Sequence, residues 1–237
     1  SILKVCGNTA ALDMGKQIHA EIISKGLMDV NPVLGNALVD MYARCHRLEE
    51  AQQVHDHLYV RDVASWSTLI AGYVQQGNGQ EALDCFEQMR KDGLSPCSIS
   101  FTCALKACAS IGALEKGEQI HHEILNKKLL QKDVMLGNAL LDMYARCGLL
   151  QTAQEVFDGL HVRDIVSWST LIAGYVREEK GHEAIKFYER MRREGLSPDE
   201  VTFTCILKAC GHSRAINKGK EVHKEIVNRG LLEKNII

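Results

Sequence analysis

Aromatic residues are scarce in this chain of 237 residues, since Phe, Trp and Tyr together make up only 5% of it. So few rings exclude a nucleic-acid surface built mainly on stacking aromatic side chains. An excess of one charge sign is also missing, because the formal net charge is −2 at pH 7. Proteins that bind nucleic acid only by neutralising phosphates are usually basic, so that mode is disfavoured. Recognition of base edges remains open.

Long apolar runs are absent as well. The longest uncharged run, Val63–Gln80, contains Ser, Thr, Gln, Asn and Gly, whereas a membrane span needs ~20 mostly apolar residues. We therefore expect no membrane contact. No signal or transit peptide is visible, and the chain starts inside a pattern that recurs later, so we expect a piece of a longer protein. The few prolines all stand at segment boundaries, at Pro32, Pro96 and Pro198.

Cysteine pairing motifs are missing although there are nine cysteines, an odd number without any C-x-x-C. Cys6, Cys108 and Cys210 are spaced by 102 residues. Disulfide frameworks belong to short secreted chains that are dense in cysteine. We therefore expect reduced thiols that serve as small buried apolar side chains.

What the chain does contain is a long internal repeat. The stretch "VRDVASWSTLIAGYV" (Val60–Val74) returns 102 residues later as "VRDIVSWSTLIAGYV" (Val162–Val176), with 13 of 15 residues identical. "GNALVDMYARC" (Gly35–Cys45) and "FTCALKAC" (Phe101–Cys108) return at the same offset. Self-similarity at a fixed period is the mark of a solenoid of stacked repeats.

Each period contains three related segments, and each segment has two helical runs around a short break. Leu69, Ile70 and Tyr73 recur at helical spacing, and Gly, Asn and Pro punctuate the joints. A lone hairpin cannot bury its apolar face, so stacking of neighbours must form the core. Gly72 and Gly174 fall inside helices, which predicts close helix–helix approach there. The predicted hairpins are 32–62, 63–97, 98–133, 134–164, 165–199 and 200–235, after an incomplete one at 1–31.

These segments resemble the pentatricopeptide repeats of plants. "VSWSTLIAGYV…EAIKFYERMRREGLSPD" is similar to the family's P motif, "FTCALKACASIGALEKGEQIHHEI" to its long L motif, and "GNALLDMYARCGLLQTAQEVFDGLHVRD" to its short S motif. Their lengths of 35, 36 and 31 residues add up to the 102-residue period. The Trp–Leu–Gly–Tyr spacing of tetratricopeptide repeats is absent. In these terms 1–31 is a partial L repeat, followed by S, P, L, S, P and L repeats.

The resemblance implies an all-α right-handed superhelix of the PLS subclass, whose members mostly specify RNA-editing sites in organelles. It implies binding of single-stranded RNA at about one base per repeat, without catalysis or a cofactor. Mitochondrion or chloroplast is the implied location. Small organellar editing factors are further implied partners, through the L repeats. The rival reading is a protein–protein scaffold that uses the same groove, and uncapped solenoid ends leave self-association open.

In the family, the fifth and last residues of each repeat choose the base. The resulting pairs are Asn36 with Asp62, Ser67 with Cys97, Thr102 with Asp133, Asn138 with Asp164, Ser169 with Asp199, and Thr204 with Asn235.

The chemistry of these pairs suits base selection. An acceptor-only Asp favours the ring N–H of uracil or guanine, whereas an Asn amide donor favours adenine or cytosine. The family's code implies U for the two Asn/Asp pairs, G for Ser169/Asp199, and, less firmly, G for Thr102/Asp133 and A for Thr204/Asn235. Ser67/Cys97 departs from the code, which leaves its base open. The expected tract is 5′-U-(purine)-G-U-G-A-3′.

The second residue of each repeat sandwiches the base in the family. Those positions hold Val33, Ala64, Ile99, Met135, Val166 and Val201. From the residues alone, ordinary core packing is the alternative reading of such aliphatic side chains.

Three H-x-E triplets start at His19, His121 and His223. Nucleobase deaminases combine H-x-E with P-C-x-x-C to hold zinc, but Pro96-Cys97 is followed by Ser100 where the second Cys would stand. We therefore expect no metal site and no enzyme in this chain.

Overall fold

A computed structural model describes residues 2–131 and 133–231. These residues form helices joined by short turns, and no strand occurs among them. The prediction of an all-α fold is thereby confirmed for that part of the chain. Within it, no helix is both long enough and apolar enough to cross a membrane. The chain divides into two compact units, Ser1–Lys116 and Gly117–Ile237.

The first unit is built from paired helices. The helices are α1 Ile2–Thr9, α2 Leu12–Ser24, α3 Leu27–Val30, α4 Pro32–Arg44, α5 Leu48–Asp56, α6 Val63–Gln75, α7 Gly79–Lys91 and α8 Ser98–Ile111. α4 packs on α5 and α6 on α7, while α1, α4, α6 and α8 pack in series. One layer therefore consists of the first helices of the hairpins, and the other of their second helices.

The second unit repeats this order. Most of α9 Leu114–Asn126 belongs to this unit, and a short 3-10 turn spans Leu129–Gln131. It is followed by α10 Val134–Arg146, α11 Leu150–Gly159, α12 Ile165–Arg177, α13 Gly181–Arg193, α14 Glu200–His212 and α15 Ile216–Asn228. α10, α12 and α14 pack in series, and each packs on the second helix that follows it.

The core lies between the two layers. Phe86 and Phe101 are fully buried and meet with ring centroids 6.0 Å apart. Trp66 and Trp168 are buried too, so the two tryptophans are framework residues. Full burial of one such side chain stabilises the fold by about 1.5–3 kcal/mol, which lets short helices persist. All nine cysteines are free thiols, and each is buried or half-buried.

Close approach of first helices explains the mid-helix glycines. A Cβ at Gly72 would lie 2.7 Å from the Cβ of Ala43, and a Cβ at Gly174 would lie 3.1 Å from the Cβ of Ala145. Both distances are too short for ordinary carbon contact, so the glycines allow α4 to meet α6 and α10 to meet α12. The predicted close approach is confirmed.

Candidate nucleic-acid interface

The predicted base-reading aspartates begin helices. Each accepts a hydrogen bond from the backbone N–H three residues on, and this is the preferred N-cap arrangement because the first turn of a helix has unsatisfied donors. The donor–acceptor distances are 2.7 Å for Ser65 to Asp62, 3.0 Å for Leu136 to Asp133, 2.8 Å for Ser167 to Asp164 and 2.8 Å for Thr202 to Asp199.

The cap fixes the carboxylates in place. At Asp199, the Thr202 hydroxyl also donates to Oδ1 at 2.6 Å, so Oδ1 is fully engaged with the helix. At Asp62, the Ser65 hydroxyl instead donates to the backbone carbonyl at 2.9 Å. In both cases Oδ1 takes the helix N–H and Oδ2 has no described partner. This helix-capping role was not predicted from the sequence, although Asp followed by Ser or Thr three residues later is a pattern typical of a helix start.

Asn138 and Asp164 form a pair near the two ends of the predicted repeat 134–164. The amide Nδ2 of Asn138 donates to Oδ1 and Oδ2 of Asp164 at 3.1 and 3.2 Å. Because a carboxylate only accepts, this contact sets the orientation of the Asn138 amide. Its carbonyl Oδ1 is then buried without a partner, as is Oδ1 of Asn36 in the first unit. A buried acceptor left unpaired costs about 1–3 kcal/mol, which a ligand donor would relieve.

The predicted hydroxyl residues are small and mostly tied to their own helices. Ser67 donates to the carbonyl of Val63 at 2.6 Å, and Ser169 to that of Val166 at 3.1 Å. Both serines and Thr102 are buried, while Thr204 is exposed. With its proton engaged, a serine presents only acceptor lone pairs and little bulk. That geometry leaves the room that a larger base needs.

Cys97 stands where Asp199 stands one period later. Its Sγ lies 3.3 Å from the Ser100 hydroxyl and 3.8 Å from the Ser67 hydroxyl, and those two hydroxyls are 2.8 Å apart. Burial opposes ionisation of the Cys97 thiol, but its hydrogen bonds, those with Ser100 above all, outweigh burial and lower the pKa. This pocket therefore offers hydroxyls and a thiol where its counterpart offers a carboxylate.

One groove gathers the predicted residues of the repeat 63–97. It has a volume of about 440 Å³ and is lined by Ala64, Ser67, Cys97 and Ile99, among others. Ala64 and Ile99 are the second residues of consecutive predicted repeats, so an aliphatic side chain stands on either side of the Ser67–Cys97 pair. The first unit thus places predicted sandwiching and reading residues around one cavity.

The second residues are exposed in every predicted repeat. The accessible fraction is 72% for Val33, 63% for Ile99, 71% for Met135, 53% for Val166 and 58% for Val201, and Ala64 is exposed as well. The core-packing reading of these positions is therefore wrong. A large apolar side chain that is exposed at the same place in successive repeats needs a partner surface to cover it.

Two predicted pairs are described one residue at a time. Thr102 belongs to the first unit and Asp133 to the second, and each is described within its own unit. The pair of Thr204 and Asn235 cannot be placed, because Asn235 lies outside the described residues.

The H-x-E triplets have ordinary structural contacts. Nδ1 of His19 lies 2.9 Å from the hydroxyl of Tyr42, and His121 and Tyr144 repeat this contact at 2.9 Å. Burial lowers the pKa of both histidines. Across residues 2–131 and 133–231, no cluster of three or more His, Cys, Asp or Glu side chains could hold a metal ion.

Comparisons with known proteins agree with this architecture. The chain is 38% identical to a putative pentatricopeptide repeat-containing protein of Arabidopsis thaliana over 90% of the chain and 29% of the relative. It is 38% identical to a mitochondrial Arabidopsis relative over 97% of the chain and 22% of the relative. It is 36% identical to a chloroplastic Arabidopsis relative over 97% of the chain and 28% of the relative. The chain thus spans less than a third of each of these relatives.

Solved structures show the same fold. The chain matches the crystal structure of the pentatricopeptide repeat protein PPR10 from maize with a TM-score of 0.70 at 20% identity, over 95% of the chain and 33% of that protein. For PPR10 in complex with an 18-nt psaJ RNA element, the TM-score is 0.72 at 23% identity, over 93% of the chain and 33% of that protein. The predicted solenoid of helical hairpins is confirmed by this likeness.

Family models cover most of the two units. The PPR repeat family matches residues 61–110 and 163–212, and the PPR repeat matches 36–62, 138–165 and 201–231. The chain belongs to the pentatricopeptide repeat family.

Proposed function

We propose that this chain binds single-stranded RNA by sequence, at about one base per repeat. The observation that carries the proposal is the Asn138–Asp164 pair, in which a buried carbonyl oxygen of Asn138 lacks a partner. Val166 is exposed two residues after Asp164 and offers an apolar surface for a base. Reading by two side chains per helical repeat is the mode such arrays use for unpaired bases.

The repeat boundaries 32–62, 63–97, 98–133, 134–164, 165–199 and 200–235 belong to this proposal, as does the PLS order of their lengths. Within it, the Asn/Asp pairs select U and Ser169/Asp199 selects G. Asp62 and Asp199 support these choices, because Oδ1 serves the helix cap and leaves Oδ2 for the ring N–H of uracil or guanine. Binding, not catalysis, is the activity proposed for this chain.

We further propose that the chain is the target-recognition part of an organellar C-to-U RNA-editing factor. The triplet lengths support the subclass. Relatives named mitochondrial and chloroplastic support an organelle.

Binding of protein partners is the second candidate function, and one recurring feature favours it. A groove of about 540 Å³ in the first unit is lined by His19, Ile23 and Tyr42, among others. A groove of about 400 Å³ in the second unit is lined by His121 and Leu125 at the same register. These grooves involve the second helices of L repeats, away from the base-reading residues, so editing-factor proteins and RNA need not compete.

A double variant tests the RNA proposal. Asn138→Ala with Asp164→Ser removes both reading groups but keeps an N-cap oxygen for α12, because Ser caps helices about as well as Asp. We expect weaker binding to RNA with the proposed tract and an unchanged melting temperature. Asn78→Ser, an N-cap substitution at the start of the second helix α7 and outside the predicted reading positions, is the matched control. A chain that only binds proteins would show no RNA binding that either variant could change.

A further inference from the structure

The ninth residue of the predicted repeats follows the repeat class. It is Lys in the L repeats, at Lys4, Lys106 and Lys208, whereas it is Asp in the S repeats and Ala in the P repeats. All three lysines are exposed on first helices. Lys106 lies seven residues after the exposed Ile99 on α8, and seven residues are only about 20° short of two helical turns. Lys106 and Ile99 therefore face the same way.

The second unit repeats this geometry. Lys208 lies seven residues after the exposed Val201 on α14. Within the described residues, neither Lys106 nor Lys208 has a carboxylate within the 4.0 Å of an ion pair. Their charge on this face is therefore uncompensated.

The S repeats treat charge differently. Arg44 donates through Nε to both carboxylate oxygens of Asp40 at 2.9 Å, and Arg146 does the same with Asp142. Each of these arginines is therefore ion-paired with a carboxylate one turn away on the same helix. Among the described residues of a chain with a net charge of −2, the first helices of the L repeats thus carry lysines without an ion pair, whereas those of the S repeats carry paired arginines.

We propose that Lys106 and Lys208, together with Lys4, bind phosphates of the RNA backbone. This inference rests on the proposed RNA binding. Lys106 and Lys208 each lie roughly 10 Å along their helix from the aliphatic side chain that would flank a base, and the flexible Lys stem brings a point charge to the RNA backbone. Phosphate contacts fix register and add affinity, but they carry no sequence information. The L repeats would anchor the strand once per triplet.

The test is the salt dependence of binding to RNA that contains the proposed tract. Neutralising one phosphate of a single strand contributes about 0.7 to the slope of log affinity against log salt. Lys106→Gln with Lys208→Gln should therefore make the slope less negative by about 1.4. Discrimination against RNA with both U changed to A should stay unchanged. Gln favours helix, so folding should be intact.

Lys91→Gln with Lys220→Gln is the matched control, because it removes the same charge from exposed positions on second helices. It should leave the slope as it is. An unchanged slope in the Lys106/Lys208 variant, or an equal change in the control, would overturn the inference while RNA binding itself stands. If the unsubstituted chain does not bind RNA, the proposed function is overturned, and this inference with it.

Discussion

Asn138 and Asp164, 26 residues apart in the chain, are joined by one amide that donates to both oxygens of one carboxylate. The same carboxylate caps α12 through the N–H of Ser167. A single aspartate therefore holds a helix start and presents an acceptor beside it. A substitution that keeps the cap and changes the acceptor should separate the two roles.

Asp199→Asn is such a substitution. Asn and Asp are about equally good N-caps, so we expect the free energy of unfolding to change by less than about 0.5 kcal/mol. The side chain gains an N–H₂ donor, which suits adenine better than guanine. The repeat 165–199 should therefore shift its preference from G to A. Binding to two RNAs that differ only at that base measures the shift.

Asp199→Ala is the control, because it removes the cap and the acceptor together. It should lower stability by about 1 kcal/mol and abolish the preference at that base. If Asp199→Asn leaves the preference for G unchanged, Asp199 serves only as a helix cap.

Gly72→Ala tests the close approach of α4 and α6. Ala favours helix by about 1 kcal/mol, but overpacking of a tight contact costs about 1–3 kcal/mol. With a Cβ 2.7 Å from that of Ala43, we expect the steric cost to prevail and the melting temperature to fall. Gly211→Ala is the matched control, since a Cβ there meets nothing within 4 Å. That variant should be more stable, and a similar gain for Gly72→Ala would contradict the close approach.

His55 predicts a pH dependence of stability. It is fully buried against Trp66, with ring centroids 4.2 Å apart, and neither ring nitrogen has a hydrogen-bond partner. Its nearest charged neighbour is the Asp56 carboxylate, 3.9 Å from Nδ1. Burial lowers its pKa, against the weaker opposing effect of Asp56. In the unfolded chain His55 therefore binds a proton as the pH falls below the ordinary histidine pKa of 6.5, whereas in the folded chain it stays neutral to lower pH. Stability should fall as pH falls below 6.5.

Phe157 occupies the same register in the second unit and packs on Trp168, with ring centroids 4.7 Å apart. His55→Phe should thus fit and should raise stability by about 1–3 kcal/mol, because two unpaired buried nitrogens are removed. Melting at pH 7.5 and 5.5 gives the measurement. The melting temperature should fall less between these two pH values in the variant than in the unsubstituted chain. An identical fall in both proteins would rule out the role of His55.

Much of the fold follows from the sequence because the 102-residue repeat presents the same helical pattern twice. Helical spacing predicted paired helices, and the mid-helix position of Gly72 predicted a close helix–helix approach, for which the structure shows Ala43 as the neighbour. The exposure of Val33 and Met135 could not be derived this way, since an aliphatic residue at helical spacing is usually core. Only packing in three dimensions shows which side of a helix lacks a neighbour.

Other features were visible in the sequence without being recognised. Ser three residues after Asp62 and after Asp164 indicates that each aspartate caps a helix, but the family's code predicted only base reading for them. His55 could have been found by aligning the two copies, because Phe157 marks its position as apolar. Which charges are paired could be seen only in the structure: Arg44 forms an ion pair with Asp40, whereas Lys106 forms none with the residues that the structure describes.

Affinity for two short RNAs tests base reading most directly. One RNA contains U-G-G-U-G-A, with G chosen as the purine at the open position, and the other carries A in place of both U. Each lost pairing at an Asn/Asp pair removes hydrogen bonds worth about 1 kcal/mol or more, so the second RNA should bind about tenfold more weakly or worse. Equal affinity for the two RNAs would contradict the proposal that Asn36/Asp62 and Asn138/Asp164 read uracil.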